Sequence, residues 1–168
     1  MSALPAIRTA ARPARARGLA ASVLLPWAPI AALISLAVGY VHLAYVDSHW
    51  EDWWAYGAFF LATGAGQVLF APLVLIWPRR WLLMVGMAGN VAIVGMYVLS
   101  RTQGIPLGPH TGVKESVAFA DLATTGAEIA LAAVLLMMIG GRLRTWTINL
   151  LLVAGIGLWA LRLSEGLV

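Results

Sequence analysis

The chain has 168 residues, 61% of them hydrophobic and 11% charged, with a formal net charge of +4. Soluble domains are nearer half apolar and a quarter charged, so this composition excludes a water-soluble globule and points to an integral membrane protein of one domain. With no cysteine, disulfides, thiolate metal sites, iron–sulfur clusters and covalent haem attachment are excluded, and the excess of arginine fits the flanks of membrane helices rather than a nucleic-acid partner.

Residues 1–21 are rich in Ala, Arg and Pro and hold Arg8, Arg12, Arg15 and Arg17 without an acid. Nothing here can form a core, so a mobile cytoplasmic tail is expected. The apolar run that follows is about twice the length of a signal-peptide core and precedes no convincing cleavage site, which favours an uncleaved first helix. Residues 22–168 then read as a membrane domain. A helix needs about 20 residues to cross a hydrocarbon core of roughly 30 Å. Five runs suffice, at 26–46, 53–77, 80–100, 117–139 and 146–163. None alternates with period two, and lipid tolerates only helices or closed barrels, so the predicted fold is an all-α bundle of five transmembrane helices.

Charge orients the bundle. The tail, the Pro78-Arg79-Arg80 turn and the Gly141-Arg142-Leu143-Arg144 turn carry eight arginines and no acid. The opposite loops and the C-terminus carry Arg101, Lys114 and Arg162 against Asp47, Glu51, Asp52, Glu115 and Glu165. The positive-inside rule places the N-terminus in the cytoplasm and the C-terminus outside, as expected for a multi-pass protein of the bacterial inner membrane. Tryptophan agrees: Trp50, Trp53, Trp54 and Trp159 mark one interface, and Trp27, Trp77, Trp81 and Trp146 the other.

Depth counting at 1.5 Å per residue separates surface charges from buried ones. It puts His42 about one turn below the outer end of the first helix, Asp121 one turn below the start of the fourth, and Glu128 two turns deeper, near the midplane. Asp121 and Glu128 are seven residues apart and share a face. His42 and His49 have the same spacing if their helix persists. Thr124 and Thr125 add hydroxyls, and Gln67 and Asn90 are also deep. An ionised carboxylate at the depth of Glu128 costs several kcal/mol unless paired or neutralised, so it should be protonated, hydrogen-bonded or bound to a cation. Ala58, Ala62 and Gly66 form a small-residue ladder, and Gly86, Gly89 and Asn90 lie close together; both read as packing surfaces.

The outer segment 101–116 alternates proline and glycine, which suggests defined turns and a lid folded over the bundle. Around it lies a longer pattern, made of His42, His49, Glu51, Gly57, Phe59, Phe60, Gln67, Asn90, Arg101, Gly104, Pro106, Gly108, Pro109, Glu115, Asp121 and Glu128. The pattern resembles a group of small multi-helix membrane proteins from high-GC bacteria with no assigned activity. The likeness spans roughly residues 39–135 and is most specific over 101–109. Members often carry an acid where this chain has His110. The resemblance implies the multi-helix fold and singles out these residues; it implies no function.

Four functional readings follow from the residues. The first is a metal site at the outer face. His42, His49, Glu51, Glu115, Asp121 and Glu128 are nitrogen and oxygen donors that suit Zn, Fe, Mn or Cu, so redox use is open. Non-covalent haem is a narrower version, with His42 at a suitable depth and Met96 as a formal partner, while His49 and His110 lie near the surface. The second reading is an intramembrane acid–base enzyme on a lipid or isoprenoid, with Glu128 and Asp121 as catalytic carboxylates: a neutral Glu128 would donate the proton, with Asp121 or His42 as its partner. The third is transport, which the thinning of polar residues toward the cytoplasmic side disfavours. The fourth is an accessory subunit of a larger membrane complex, or a homo-oligomer. Arg101 is expected to hold the acids or a bound anionic group. Gln67 and Asn90 stand as candidate cofactor contacts that equally well tie the second and third helices together.

Overall fold

The computed structural model describes residues 27–165, with the side chains of the last helix described through residue 153 and at 156. The basic tail and the last three residues lie outside the described residues. Every described element is a helix: α1 (Trp27–Ala44), α2 (Val46–Asp52), α3 (Trp54–Ile76), α4 (Arg80–Thr102), α5 (Phe119–Ile139) and α6 (Gly141–Glu165). Among them, α1, α3, α4 and α5 are long and apolar enough to cross a membrane. The fifth expected segment lies within α6, which is helical over 25 residues, about 37 Å at 1.5 Å per residue.

The helix ends follow local chemistry. Trp77 ends α3 just before Pro78, where the α conformation is disfavoured. Gly140 and Gly141 take φ of 59° and 62° and turn the chain between α5 and α6, a left-handed geometry that side chains with a Cβ resist. The expected 47–52 loop is instead a short helix, α2. The backbone breaks at Tyr45 and again at Trp53, which is extended at φ −168° and ψ 134°. The first helix therefore does not run on to His49.

The core stripe of α1 is Ala28, Ala31, Ala32, Ser35, Val38, Gly39 and His42, spaced as one helix face. Small residues let α3 approach closely. A Cβ on Gly39 would stand 3.0 Å from Gln67 Cβ, and one on Gly64 would stand 2.7 Å from Leu43 Cγ. The packed glycines of α3 are thus Gly57 and Gly64. The expected Ala58–Ala62–Gly66 ladder does not make this contact, for Ala62 and Gly66 are exposed. On α4, Gly86 meets Phe70 and Leu135, whereas Gly89 faces open space.

Ala28, Phe70, Val74, Leu82, Leu83, Leu131, Leu135 and Met138 share one core, against which Trp27 and Ile139 pack. The start of α1, the end of α3, the start of α4 and the end of α5 therefore lie together, at what we call the arginine end. The opposite ends of these helices form the acidic end. α6 touches the bundle mainly through α5.

Candidate functional site

The polar groups of the bundle fall into three sets. The deepest is a pair: His42 Nε2 lies 2.8 Å from Glu128 Oε1, with the two residues only 6% and 1% exposed. His42 is two residues from the end of α1, and Glu128 is the tenth residue of α5. Counting inward from helix ends places Glu128 well below His42, yet they meet. The acidic-end part of α5 therefore reaches beyond the end of α1, by about 10 Å at 1.5 Å per residue. Glu128 continues the stripe of Leu131 and Leu135, both fully buried, so the carboxylate stands at the edge of a dry core.

The other ring nitrogen, His42 Nδ1, is buried and has no hydrogen-bond partner among the described residues. Net charge in an apolar site is costly, which favours pair states of zero net charge. Two exist. Either imidazolium faces carboxylate, or a neutral carboxyl donates to Nε2 of a neutral imidazole. In both, Nδ1 carries a proton. The site thus presents one N–H donor with no acceptor, and releasing that proton leaves a net charge of −1.

Phe60 touches both this pair and the second histidine. His42 meets the Phe60 ring edge to face, at 5.4 Å and 72°, while His49 stacks on it at 3.6 Å and 22°. His49 Nδ1 donates to the Tyr45 carbonyl at 2.8 Å, which fixes the ring over Phe60. The two histidines therefore share contact with one aromatic ring, His42 in a T-shaped contact with it and His49 stacked on it.

Arg101 organises the second set, at the end of α4. Its guanidinium donates to Glu115, to Asp121 Oδ2 at 2.5 Å and to Ser100 Oγ at 2.6 Å, and it lies 4.7 Å over the Tyr97 ring. Asp121 Oδ2 also accepts the Ala118 N–H at 3.4 Å, so this carboxylate starts α5 as well. Thr124 spends its hydroxyl on the Ala120 carbonyl of its own helix. The segment after Arg101 folds back on α3: Tyr56 donates to the Leu107 carbonyl at 2.7 Å. Gly108, at φ 89°, sits so close that a Cβ would stand 2.7 Å from Trp53 Cε3 and Tyr56 Oη. His110 is exposed.

Gln67, Asn90 and Ser35 form the third set. Ser35 Oγ lies 2.8 Å from the Gln67 carbonyl and 2.5 Å from Gln67 Oε1, and its one proton serves one of these acceptors at a time. Gln67 Nε2 donates to Asn90 Oδ1 at 3.0 Å, and Asn90 Nδ2 to the Gly86 carbonyl at 2.8 Å. Three helices are joined by one buried chain of hydrogen bonds. Ser35 was not singled out from sequence, although it lies seven residues before His42 and so shares its face.

The six expected metal donors are thus divided. His42 and Glu128 pair with each other, Glu115 and Asp121 are held by Arg101, and His49 stacks on Phe60. Glu51 is exposed on α2. Among the described residues, no group of three or more His, Asp or Glu side chains is gathered to hold a metal ion. Comparison with known proteins yields no match: no family model, no curated protein and no solved structure is significantly similar to the chain.

Proposed function

We propose that this chain is a multi-pass membrane protein whose working group is His42, acting as an acid–base residue positioned by Glu128. The observation that carries this reading is the 2.8 Å pair with its unpartnered Nδ1. A carboxylate fixed to one ring nitrogen orients the imidazole, leaving the other nitrogen to exchange a proton with a substrate. The substrate class is an amphiphile with a hydrogen-bond acceptor, a lipid or isoprenoid, because the donor lies in the apolar bundle. The acceptor oxygen would take the Nδ1 proton, and the second proton of the pair would rest on Nε2, donated to an ionised Glu128. Infrared spectra of protein isotope-labelled at the glutamate side chains test this. A Glu128 band that vanishes in Glu128→Gln and shifts in His42→Phe supports the reading. A spectrum insensitive to both substitutions overturns it.

One observation favours metal binding as the second reading. Metal-ligating histidines commonly donate their other N–H to a carboxylate, as His42 does to an ionised Glu128. A Cu, Fe, Mn or Zn ion at Nδ1 would displace the proton there and offset the negative charge. Further ligands would come from movement of His49 or Asp121. Elemental analysis of protein purified without chelator or immobilised nickel separates the two readings. About one ion per chain favours metal; a ratio far below one, with no rebinding, leaves the acid–base reading alone.

The membrane in this proposal is the bacterial inner membrane, crossed five times with α6 as the fifth span, the N-terminus inside and the C-terminus outside. The segregation of arginine from acid supports it, as does the resemblance to small multi-helix proteins of high-GC bacteria. Reporter fusions at the two termini should be active on opposite sides, and activity on the same side contradicts five crossings.

A further inference from the structure

The arginine end carries a charged surface that the acid–base site does not use. Arg79, Arg80 and Arg142 are exposed and Arg144 is half-buried. The ion pairs among the described residues all lie elsewhere, at His42–Glu128, Arg101–Glu115 and Arg101–Asp121. These arginines are interleaved with indoles. The Arg79 guanidinium stands 5.4 Å over the Trp77 ring, and Trp77 meets Trp81 edge to face at 5.5 Å and 80°. Trp77, Trp81 and Trp146 are 44%, 54% and 73% exposed. Immediately before them, Ile76 is 77% exposed at the end of an apolar span.

Positive charge, half-exposed indole and bare aliphatic surface therefore follow one another within six residues, 76–81. A soluble polyanion satisfies only the first of these. A molecule with a phosphate at one end and acyl chains at the other satisfies all three, since guanidinium forks match phosphate oxygens and indoles sit at headgroup level. We infer that the turn between α3 and α4 is a binding surface for an anionic phospholipid. Arg79 and Arg80 take the phosphate, the Trp77–Trp81 pair rests among the ester groups, and the acyl chains lie along α3 and α4. Stacking on Trp77 keeps the Arg79 guanidinium at the membrane face.

The test uses the full chain reconstituted in equimolar phosphatidylglycerol and phosphatidylcholine, extracted in mild detergent and weighed by native mass spectrometry. The wild-type protein should retain phosphatidylglycerol in preference. One arginine near a charged leaflet contributes about a fivefold factor in binding, so Arg79→Gln with Arg80→Gln should weaken retention on the order of 25-fold. Lys114→Gln, which removes one charge at the acidic end, should leave it unchanged. Both arginine side chains are exposed, so the unfolding midpoint of the double variant should match wild type and confirm that it is folded. Equal retention of the two lipids, or an unaltered preference in the double variant, overturns the inference. So does inorganic phosphate or an oligonucleotide that competes as well as the lipid, because neither carries acyl chains.

Discussion

Asp121 and Glu128 stand seven residues apart on α5, and each is claimed by a different helix. Arg101 at the end of α4 takes Asp121, and His42 at the end of α1 takes Glu128. The exposures of the partners differ accordingly. The Asp121 side chain is 37% exposed and that of Glu128 is 2% exposed. Water screens the first pair, so it contributes mainly to the shape of the acidic end. The second pair is buried at the edge of the apolar core, where losing one partner strands the other away from solvent.

That difference predicts unequal costs of substitution. Glu128→Leu should lower the unfolding free energy by roughly 3 kcal/mol, the scale for breaking a buried pair. Glu128→Gln keeps a hydrogen bond to His42 and should cost about 1 kcal/mol. His42→Leu combined with Glu128→Leu should recover most of the loss, because no unpaired group remains. A double-mutant cycle on thermal or denaturant unfolding in micelles measures all of these, and additive losses would contradict direct pairing.

Replacing Arg101 by Gln should act on the 103–117 segment more than on global stability. The cost is about 1 kcal/mol, since Glu115 and Asp121 are reached by solvent. Residues 103–117 should exchange amide hydrogen faster and be cleaved sooner by protease, with the cores of α1 and α3 unaffected. Arg101→Lys should fall between, because a single ammonium cannot reproduce the guanidinium fork. Hydrogen exchange read by mass spectrometry locates the change.

Gly108→Ala tests how the same segment docks. The position has φ 89°, and an added Cβ would strike both the Trp53 ring and the Tyr56 hydroxyl. The substitution should cost about 1–3 kcal/mol in strain and expose residues 103–117. Tyr56→Phe removes the hydrogen bond to Leu107 without a clash, so about 1 kcal/mol is expected. Unfolding midpoints of the two variants rank them.

The Phe60 ring, in contact with both His42 and His49, should control access to the pair. With Phe60 in place, diethyl pyrocarbonate should modify exposed His110 and half-buried His49 and spare His42. In Phe60→Ala, His42 should become reactive. Peptide mapping of the modified histidines reads this directly, and equal reactivity of His42 in the two proteins would contradict shielding by Phe60.

Much of the frame was legible in the sequence because its causes are local. Apolar length, proline and paired glycines locate α1, α3, α4 and α5 within two or three residues, and the charge split separates the two ends. The site was harder because its causes are not local. His42 and Glu128 are 86 positions apart, and no count along one helix tells how far α5 reaches past α1. Donor types alone suggested six ligands; only packing shows that Arg101 holds two of them and that both histidines pack on Phe60. Ser35 escaped notice because a serine in an apolar helix carries no signal until Gln67 is found opposite it. The Ala58–Ala62–Gly66 ladder misled for the opposite reason: small residues permit close approach but do not compel it, and the approach is made at Gly64 and Gly57.

The central claim is that Glu128 holds His42 so that Nδ1 is the atom that exchanges a proton. Nitrogen-15 NMR of histidine-labelled protein in micelles tests it most directly. The His42 ring should carry a proton on Nδ1, with Nε2 hydrogen-bonded to Glu128, and its Nε2 resonance should move in Glu128→Gln. A bare Nδ1, or a His42 spectrum indifferent to the Glu128 substitution, would contradict it.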